Sequence, residues 1–433
     1  MKLRNVVIVD GIRSPFSWGG RGMFEATRVD EVGVEVLKQL MARNPKVKPT
    51  MVEDVGIGNN MGDDDLTMLG VIPRMAGLPV ETTCFHTNRQ CGSSMDTMQR
   101  LATGIMVGML DCGIALGIER LGRSLGRPAP AVPPTRVTGL NPKMMDKNDL
   151  QRNMAFDHDE NFSVPIPDPI LDSPPLQNMP QTAQNVVDMY GITREELDSF
   201  TVRSHKKLAK AYAAGIYKDE VISMQVEKPV FTESKLWDPE QKGEMVTFDQ
   251  DECLRAECSM EGLAKLGPIK GLVSYCGNEV IITAGNSCPT NSGASAILLM
   301  SEEKALELGL NPIARIVGMG VGGVKGQLMG LGPIPATRKA VKHAGIEVGQ
   351  IERIEFNEAF AAQVIPSLKE LGLSEDITNV NGGSLGIGHP LGATGARLVL
   401  TVAREIQRSG KKYGLATQCI GSGQGIATIV EGM

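Results

Sequence analysis

Long hydrophobic runs are missing from this 433-residue chain, and no stretch approaches the ~18 consecutive apolar residues of a membrane span. The opening residues, MKLRNVVIVDG, hold only four apolar residues in a row, well short of a signal-peptide core. Clustered metal ligands are missing as well. The eight cysteines form no C-x-x-C and only five histidines are present, so no metal site is expected. Basic charge is in short supply: 44 Lys and Arg against 50 Asp and Glu give a net charge of −6. Bulk nucleic-acid binding wants the opposite sign. A local cationic patch for an anionic ligand remains compatible with that balance. Without an export signal the expected location is cytoplasmic, where thiols stay reduced and most cysteines act as small buried hydrophobes.

What the chain does have is material for a large core. It is 42% hydrophobic and 22% charged, ordinary globular values, and its length suggests two or three domains. Asn5 to Asp10 reads as a buried strand, Asp30 to Met41 as a helix and Val52 to Ile57 as a second strand. A helix around Ser93 to Met109 and a strand at Asp111 to Gly117 follow. Strands alternating with helices predict a parallel, doubly covered sheet.

The C-terminal part repeats this order. Ala314 to Gly318 matches the first strand, and Thr337 to Ala344 the first helix. Gln350 to Asn357 mirrors Met51 to Asn59, Val380 to Ser384 mirrors Thr87 to Cys91, and Tyr413 to Gln418 mirrors Asp111 to Leu116. Internal duplication of an α/β unit is the simplest reading. Between the halves the character changes, since eleven of the 25 prolines fall in residues 121–180. Such a stretch cannot sustain long helices. Order returns at Thr193, where Thr193-Arg194-Glu195-Glu196 forms a capping box for a helix to about Gly215. Gly285 to Met300 reads as a strand rejoining the first half, and Ser301 caps the next helix.

Three glycine-rich segments carry chemistry. In Asn88-Arg89-Gln90-Cys91-Gly92-Ser93-Ser94-Met95 a thiol stands where a helix begins. Unpaired N–H groups and the helix dipole there favour thiolate, and the same amides suit an oxyanion hole. A buried structural cysteine is the alternative. In Gly386-Ile387-Gly388-His389-Pro390-Leu391-Gly392-Ala393-Thr394-Gly395 a single histidine sits among glycines that permit close backbone approach to a ligand, before a helix expected from Ala396. Cys419-Ile420-Gly421-Ser422-Gly423-Gln424-Gly425 brings a second cysteine into a turn that lacks the features of a phosphate loop. Asn357-Glu358-Ala359-Phe360 stands at a strand end, where open α/β sheets place ligands. Asn357 reads either as a water-holding or histidine-orienting group there, or as a helix cap.

Together these four segments resemble the active-site loops of the thiolase family, in the family's order, and the likeness runs over essentially the whole chain. The nucleophile segment is most similar to the degradative, fatty-acid β-oxidation members. The resemblance implies an α/β thiolase fold: two duplicated βαβαβ-type halves in a five-layered αβαβα core, plus an inserted loop domain. It divides the chain into 1–119 with 290–312, a loop domain at 120–289 that binds CoA and the acyl chain, and 313–433. It implies a transferase with no permanently bound cofactor, using coenzyme A as co-substrate to cleave a 3-ketoacyl-CoA. By position Cys91 becomes the nucleophile and His389 its activator. Asn357 holds a water, Cys419 acts as acid and base, and Gly421 lends a backbone N–H to an oxyanion hole. Arg255, Met179, Ser287, Cys288 and Phe360 fall at CoA-side positions, with Lys206, Lys207 and Lys210 nearby in sequence.

Some positions depart from the family's pattern. Glu119-Arg120-Leu121-Gly122 replaces Glu-Ser-Met-Ser, and Met179-Pro180 replaces Met-Gly. Cys288 stands where a serine usually meets the pantetheine arm. All three point to a bulky or unusual acyl group. A biosynthetic acetyl-CoA acetyltransferase and a non-catalytic CoA-binding paralogue are the competing readings. The family further implies a homodimer or homotetramer, and a multienzyme β-oxidation partner is compatible with it.

Overall fold

The computed structural model describes residues 3–61, 70–121, 162–174, 176–234 and 237–433. The first half is built from β1 (Val6–Arg13), α1 (Val29–Arg43), β2 (Asp54–Gly58), β3 (Thr83–Thr87), α2 (Ser93–Met106) and β4 (Cys112–Arg120). Every residue of β1 and β4 is buried, which is why both read as continuous apolar runs rather than alternating ones. In the intervening segment, α3 (Met179–Tyr190) starts at Asn178, whose side chain accepts from the Gln181 N–H. The helix α4 (Arg194–Ala213) opens on the capping box of Thr193 and Glu196. Most of the proline-rich stretch, residues 122–161, lies outside the described residues.

The chain then returns through β5 (Asn291–Ser301) to the first half, and the second half follows the same plan. Its elements are β6 (Ala314–Gly323), α5 (Pro333–Ala344), β7 (Arg353–Phe356), α6 (Ala361–Leu371), α7 (Leu391–Ser409), β8 (Tyr413–Ile420) and β9 (Gln424–Gly432). The main strand order is β7-β8-β9-β6-β1-β5-β4-β2-β3. Read outward from the central β6–β1 contact, the two sides are copies. β1, β5, β4 and β2 answer to β6, β9, β8 and β7, and a parallel bridge from Ile354 to Thr378 stands in for the β2–β3 pairing. The duplication read from the sequence is therefore a duplication of topology.

The sheet is mixed rather than parallel. β2 pairs in parallel with β3 and β4, but β5 runs antiparallel to both β1 and β4. The last strand of each half returns against its neighbours: β5 enters between β1 and β4, and β9 between β8 and β6, each antiparallel to both, with or without an insertion before it. Helices α2 and α7, counterparts in the two halves, pack on each other. α7 touches β4 and β5 on one side and β7, β8 and β9 on the other. α1 covers the outer face of the first sheet and α5 that of the second. Five layers result, with α2 and α7 in the dry middle.

Candidate active site

Four loops converge where the ends of α2 and α7 meet the loop segment. Cys91 lies in a single 3-10 turn, Gln90–Gly92, that feeds α2. The turn is strained: Gln90 has φ 46°, and across from it Ser422 has φ 64°. Non-glycine residues in this region cost on the order of 1 kcal/mol each and gather at functional sites. Here the two strained residues touch, with Gln90 Nε2 donating to Ser422 Oγ at 3.3 Å. Gln418 Nε2 donates to the Cys91 carbonyl at 2.8 Å, tying the thiol's backbone to β8.

Cys91 and Cys419 are both almost wholly buried. The sequence reading expected the helix terminus to lower the Cys91 pKa. The structure reverses this, because burial and then the neighbouring Cys419 push it up, against hydrogen bonds from the Gly421 and Cys91 backbone that favour thiolate. Desolvation outweighs the dipole because a thiolate at full burial loses more hydration than one turn's amides return. Cys419 is likewise pushed up by burial, to about 11, while Gln363 and Asn357 hydrogen bonds pull the other way. Each thiol therefore needs a base.

His389 is placed to be one. Burial, then the positive Arg397, hold it neutral, with a pKa of about 3. Its Nδ1 lies 2.7 Å from Thr394 Oγ1 and its Nε2 3.3 Å from Asn357 Nδ2. Gly388 just before it has φ 111°, and a Cβ there would stand 2.6 Å from the side chain of Asn291. That same Asn291 accepts the His389 N–H at 2.9 Å. The helix α7 begins at Leu391, five residues before the expected Ala396. Pro390 caps it, and Gly392 and Gly395 are helical because β4 and α2 approach too closely for a side chain. Glu119 fixes this loop from the first half, accepting from Gly392 N at 2.8 Å and from the backbone of Asn60 and Met61.

Asn357 is not a helix cap. The next helix, α6, starts at Ala361 with Phe360 in the cap position, which leaves the Asn357 amide free for the site. Its neighbour Glu358 faces away and accepts from Ser204, Asn379 and Leu385 N, joining α4 to the histidine loop.

A cavity of about 440 Å³ opens beside His389, with Cys91, Cys419 and Asn357 outside its lining. His389, Arg255, Ser287, Cys288 and Phe360 all line it. The Ser287 hydroxyl is already committed to the Thr283 carbonyl at 2.7 Å. Met179 is not in the lining; the adjacent Pro180 is, because the first turn of α3 directs Met179 into the hydrophobic cluster around Phe360. Sequence reasoning missed Trp18 and Arg21. Arg21 stacks over the Trp18 ring at 4.3 Å and Arg255 at 5.8 Å, so two cations flank one indole at the cavity wall. No local pattern marks them. The RSPF strand end places Trp18 there only through β5. Among the described residues no group of three His, Cys, Asp or Glu is arranged to hold a metal ion.

The model for the thiolase N-terminal domain matches residues 6–303, and that for the thiolase C-terminal domain residues 310–432. The chain belongs to the thiolase family, and is an acyltransferase of that kind, acting on acyl-CoA thioesters by cleavage or condensation. A beta-ketoadipyl-CoA thiolase of Pseudomonas putida is 36% identical over 99% of this chain and 100% of its own length. Human mitochondrial 3-ketoacyl-CoA thiolase, solved in complex with CoA, superposes with a TM-score of 0.79 at 28% identity, covering 100% of this chain and 99% of that one. The dimeric peroxisomal thiolase of Saccharomyces cerevisiae gives 0.80 at 27% identity, covering 99% and 98%.

Proposed function

We propose that this chain is a degradative thiolase, cleaving a 3-ketoacyl-CoA with CoA into acetyl-CoA and a shortened acyl-CoA. One observation carries the chemistry: two buried thiols, Cys91 and Cys419, are tied together by the Gln418 amide on the Cys91 carbonyl at 2.8 Å, near His389 and Asn357, while the degradative direction rests on the likeness of the nucleophile segment. One thiol cannot be both acylated and titrating, so two are needed.

In the first half-reaction His389 takes the Cys91 proton and the sulfur attacks the 3-keto carbon. The oxyanion is held by His389 and by a water on Asn357. The carbon–carbon bond breaks with its electron pair on the acetyl-CoA carbon, which takes the Cys419 proton. In the second, incoming CoA gives its proton to the Cys419 thiolate and attacks the Cys91 thioester. Backbone N–H groups of Cys91 and Gly421 hold that oxyanion. Cys91 leaves as thiolate and recovers its proton from His389.

Residues 120–289 serve as the loop domain for CoA, between halves at 1–119 with 290–312 and at 313–433. Arg255 and Arg21 supply cations for the phosphates. Ser287, Cys288 and Phe360 line the path of the thiol arm. The likeness to a beta-ketoadipyl-CoA thiolase favours a second reading of the substrate, an acyl chain ending in carboxylate.

CoA-dependent thiolysis of acetoacetyl-CoA, a ten- to sixteen-carbon 3-ketoacyl-CoA and 3-oxoadipyl-CoA separates these readings, with Cys91→Ala as the blank. The degradative reading expects one of the two longer substrates to win by at least about tenfold in kcat/KM, a difference of 1.4 kcal/mol. Which one wins decides between fatty and dicarboxylic chains. Preference for acetoacetyl-CoA overturns the proposal in favour of a short-chain acetyltransferase.

A further inference from the structure

Behind the site lies a buried cation that the reaction above does not use. Arg397 is fully buried on α7, paired to Glu355 at 2.7 Å, and its second terminal nitrogen donates to Ser384 Oγ at 2.6 Å. Ser384 Oγ in turn lies 2.7 Å from Asn357 Oδ1. Asn357 Nδ2 faces His389 Nε2, His389 Nδ1 faces Thr394 Oγ1, and Thr394 Oγ1 donates to the Pro390 carbonyl at 2.9 Å.

The donors and acceptors of this chain favour one arrangement of protons. A guanidinium donates and never accepts, so the arginine contact runs toward Ser384. The serine has one proton, and its other lone-pair neighbour is the Asn357 oxygen. That fixes which end of the asparagine amide is oxygen, an assignment left open wherever no such donor stands behind it. The nitrogen end then faces His389 Nε2 as a donor. From the other side, Thr394 Oγ1 lies 2.9 Å from the Pro390 carbonyl, and with its proton there it accepts from Nδ1.

We infer that Arg397 and Ser384 are positioning residues that set the tautomer of His389, keeping the proton on Nδ1 and leaving Nε2 bare, held only by the long 3.3 Å contact from the Asn357 amide, to act as the base for Cys91. The wire has a second effect. Once Nε2 takes the thiol proton, it and Asn357 Nδ2 are both donors, 3.3 Å apart. An oxygen carrying negative charge satisfies both. A single fixed polarity thus makes a base before the proton moves and an oxyanion hole after it. Without the serine proton the Asn357 amide is free to turn, presenting its oxygen and favouring the opposite histidine tautomer.

This inference rests on the thiolase reading for its kinetic consequence but not for its structural one, and the test uses both. In 15N-histidine NMR of the whole enzyme at pH 7.5, one of the five imidazoles should show Nδ1 protonated and Nε2 bare, a signal assigned by its loss in His389→Asn. Ser384→Ala should move that signal toward Nε2–H. It should lower kcat on the preferred substrate by about 10- to 100-fold, within the range of general-base effects, with KM within about threefold. Ser384→Thr, which restores a hydroxyl, should recover part of kcat. A wild-type signal with the proton on Nε2 overturns the inference, even if Ser384→Ala fails to fold. So does a folded Ser384→Ala with unchanged kcat. The predicted tautomer in an enzyme that cleaves none of the three substrates would leave the wire standing and sink the substrate reading.

Discussion

A neutral thiol beside a neutral imidazole behaves differently from a preformed ion pair. Burial raises Cys91 and lowers His389, so across pH 6 to 8 the resting pair carries no charge. Moving the proton from sulfur to nitrogen leaves the number of bound protons unchanged, so the small reactive fraction does not vary with pH. Removing the imidazole leaves hydroxide as the only route to thiolate, and with the Cys91 pKa raised that route grows as pH rises. Iodoacetamide labelling of the Cys91 peptide should therefore be nearly flat from pH 6 to 8 in the native enzyme. In His389→Ala it should be slower and climb about tenfold per pH unit. Equal slopes in both proteins would show that His389 does not share the proton. Cys91, His389, Cys419 and Asn357 could all be picked out as candidates from the sequence, because glycine-rich loops around reactive side chains are a local signal. Arg397 and Ser384 were not singled out, because their meaning lies in contacts across 13, 27 and 42 positions of chain, and Thr394 was read only as part of its glycine-rich segment. Trp18 and Arg21 carry no local signal either.

At the scale of elements, the loops are held by close backbone approaches as much as by side chains. Gly392 opens the first turn of α7 against the end of β4, where an added Cβ would lie 2.3 Å from the Ile118 carbonyl oxygen and 2.8 Å from that of Gly58. Both obstacles are main chain and cannot rotate away. Gly392→Ala should cost about 1–3 kcal/mol, typical of overpacking, and lower the Tm by a few degrees. It should also lower kcat, since the displaced turn carries His389. Calorimetry and thiolysis on one preparation check both, and an unchanged Tm would mean that β4 and α7 can part more easily than their packing implies. The sequence predicted α7 too short for the same reason: glycine weakens helix propensity, and only the close neighbour explains why it is tolerated. It also predicted a parallel sheet, since alternation of strands and helices does not show that the last strand of each half, β5 and β9, returns antiparallel to its neighbours.

At the scale of the molecule, β3 ends the sheet and its outer edge is unpaired among the described residues. Thr83 N and the Thr87 carbonyl bond inward toward β2, so the intervening Cys84 and His86 present their backbone groups outward. An exposed edge of this kind invites pairing with another strand. A second copy of this chain, pairing β3 to β3, is the expected occupant, and sedimentation at micromolar concentration should give a dimer or a dimer of dimers. Cys84→Pro deletes one outward N–H without touching the inner ladder and should shift the mass toward the monomer. A monomeric native protein would rule the pairing out. Among the described residues no helix is long and apolar enough to cross a membrane.

The doubled topology has a consequence for ancestry. Cys91 stands two residues ahead of α2, and His389 two residues ahead of its counterpart α7, so the nucleophile and its base hold like positions in the two copies. An ancestor made of two identical subunits would have carried the same atom twice around its dyad. After fusion each copy was free to change alone. One became the sulfur that attacks; the other became the imidazole that takes its proton.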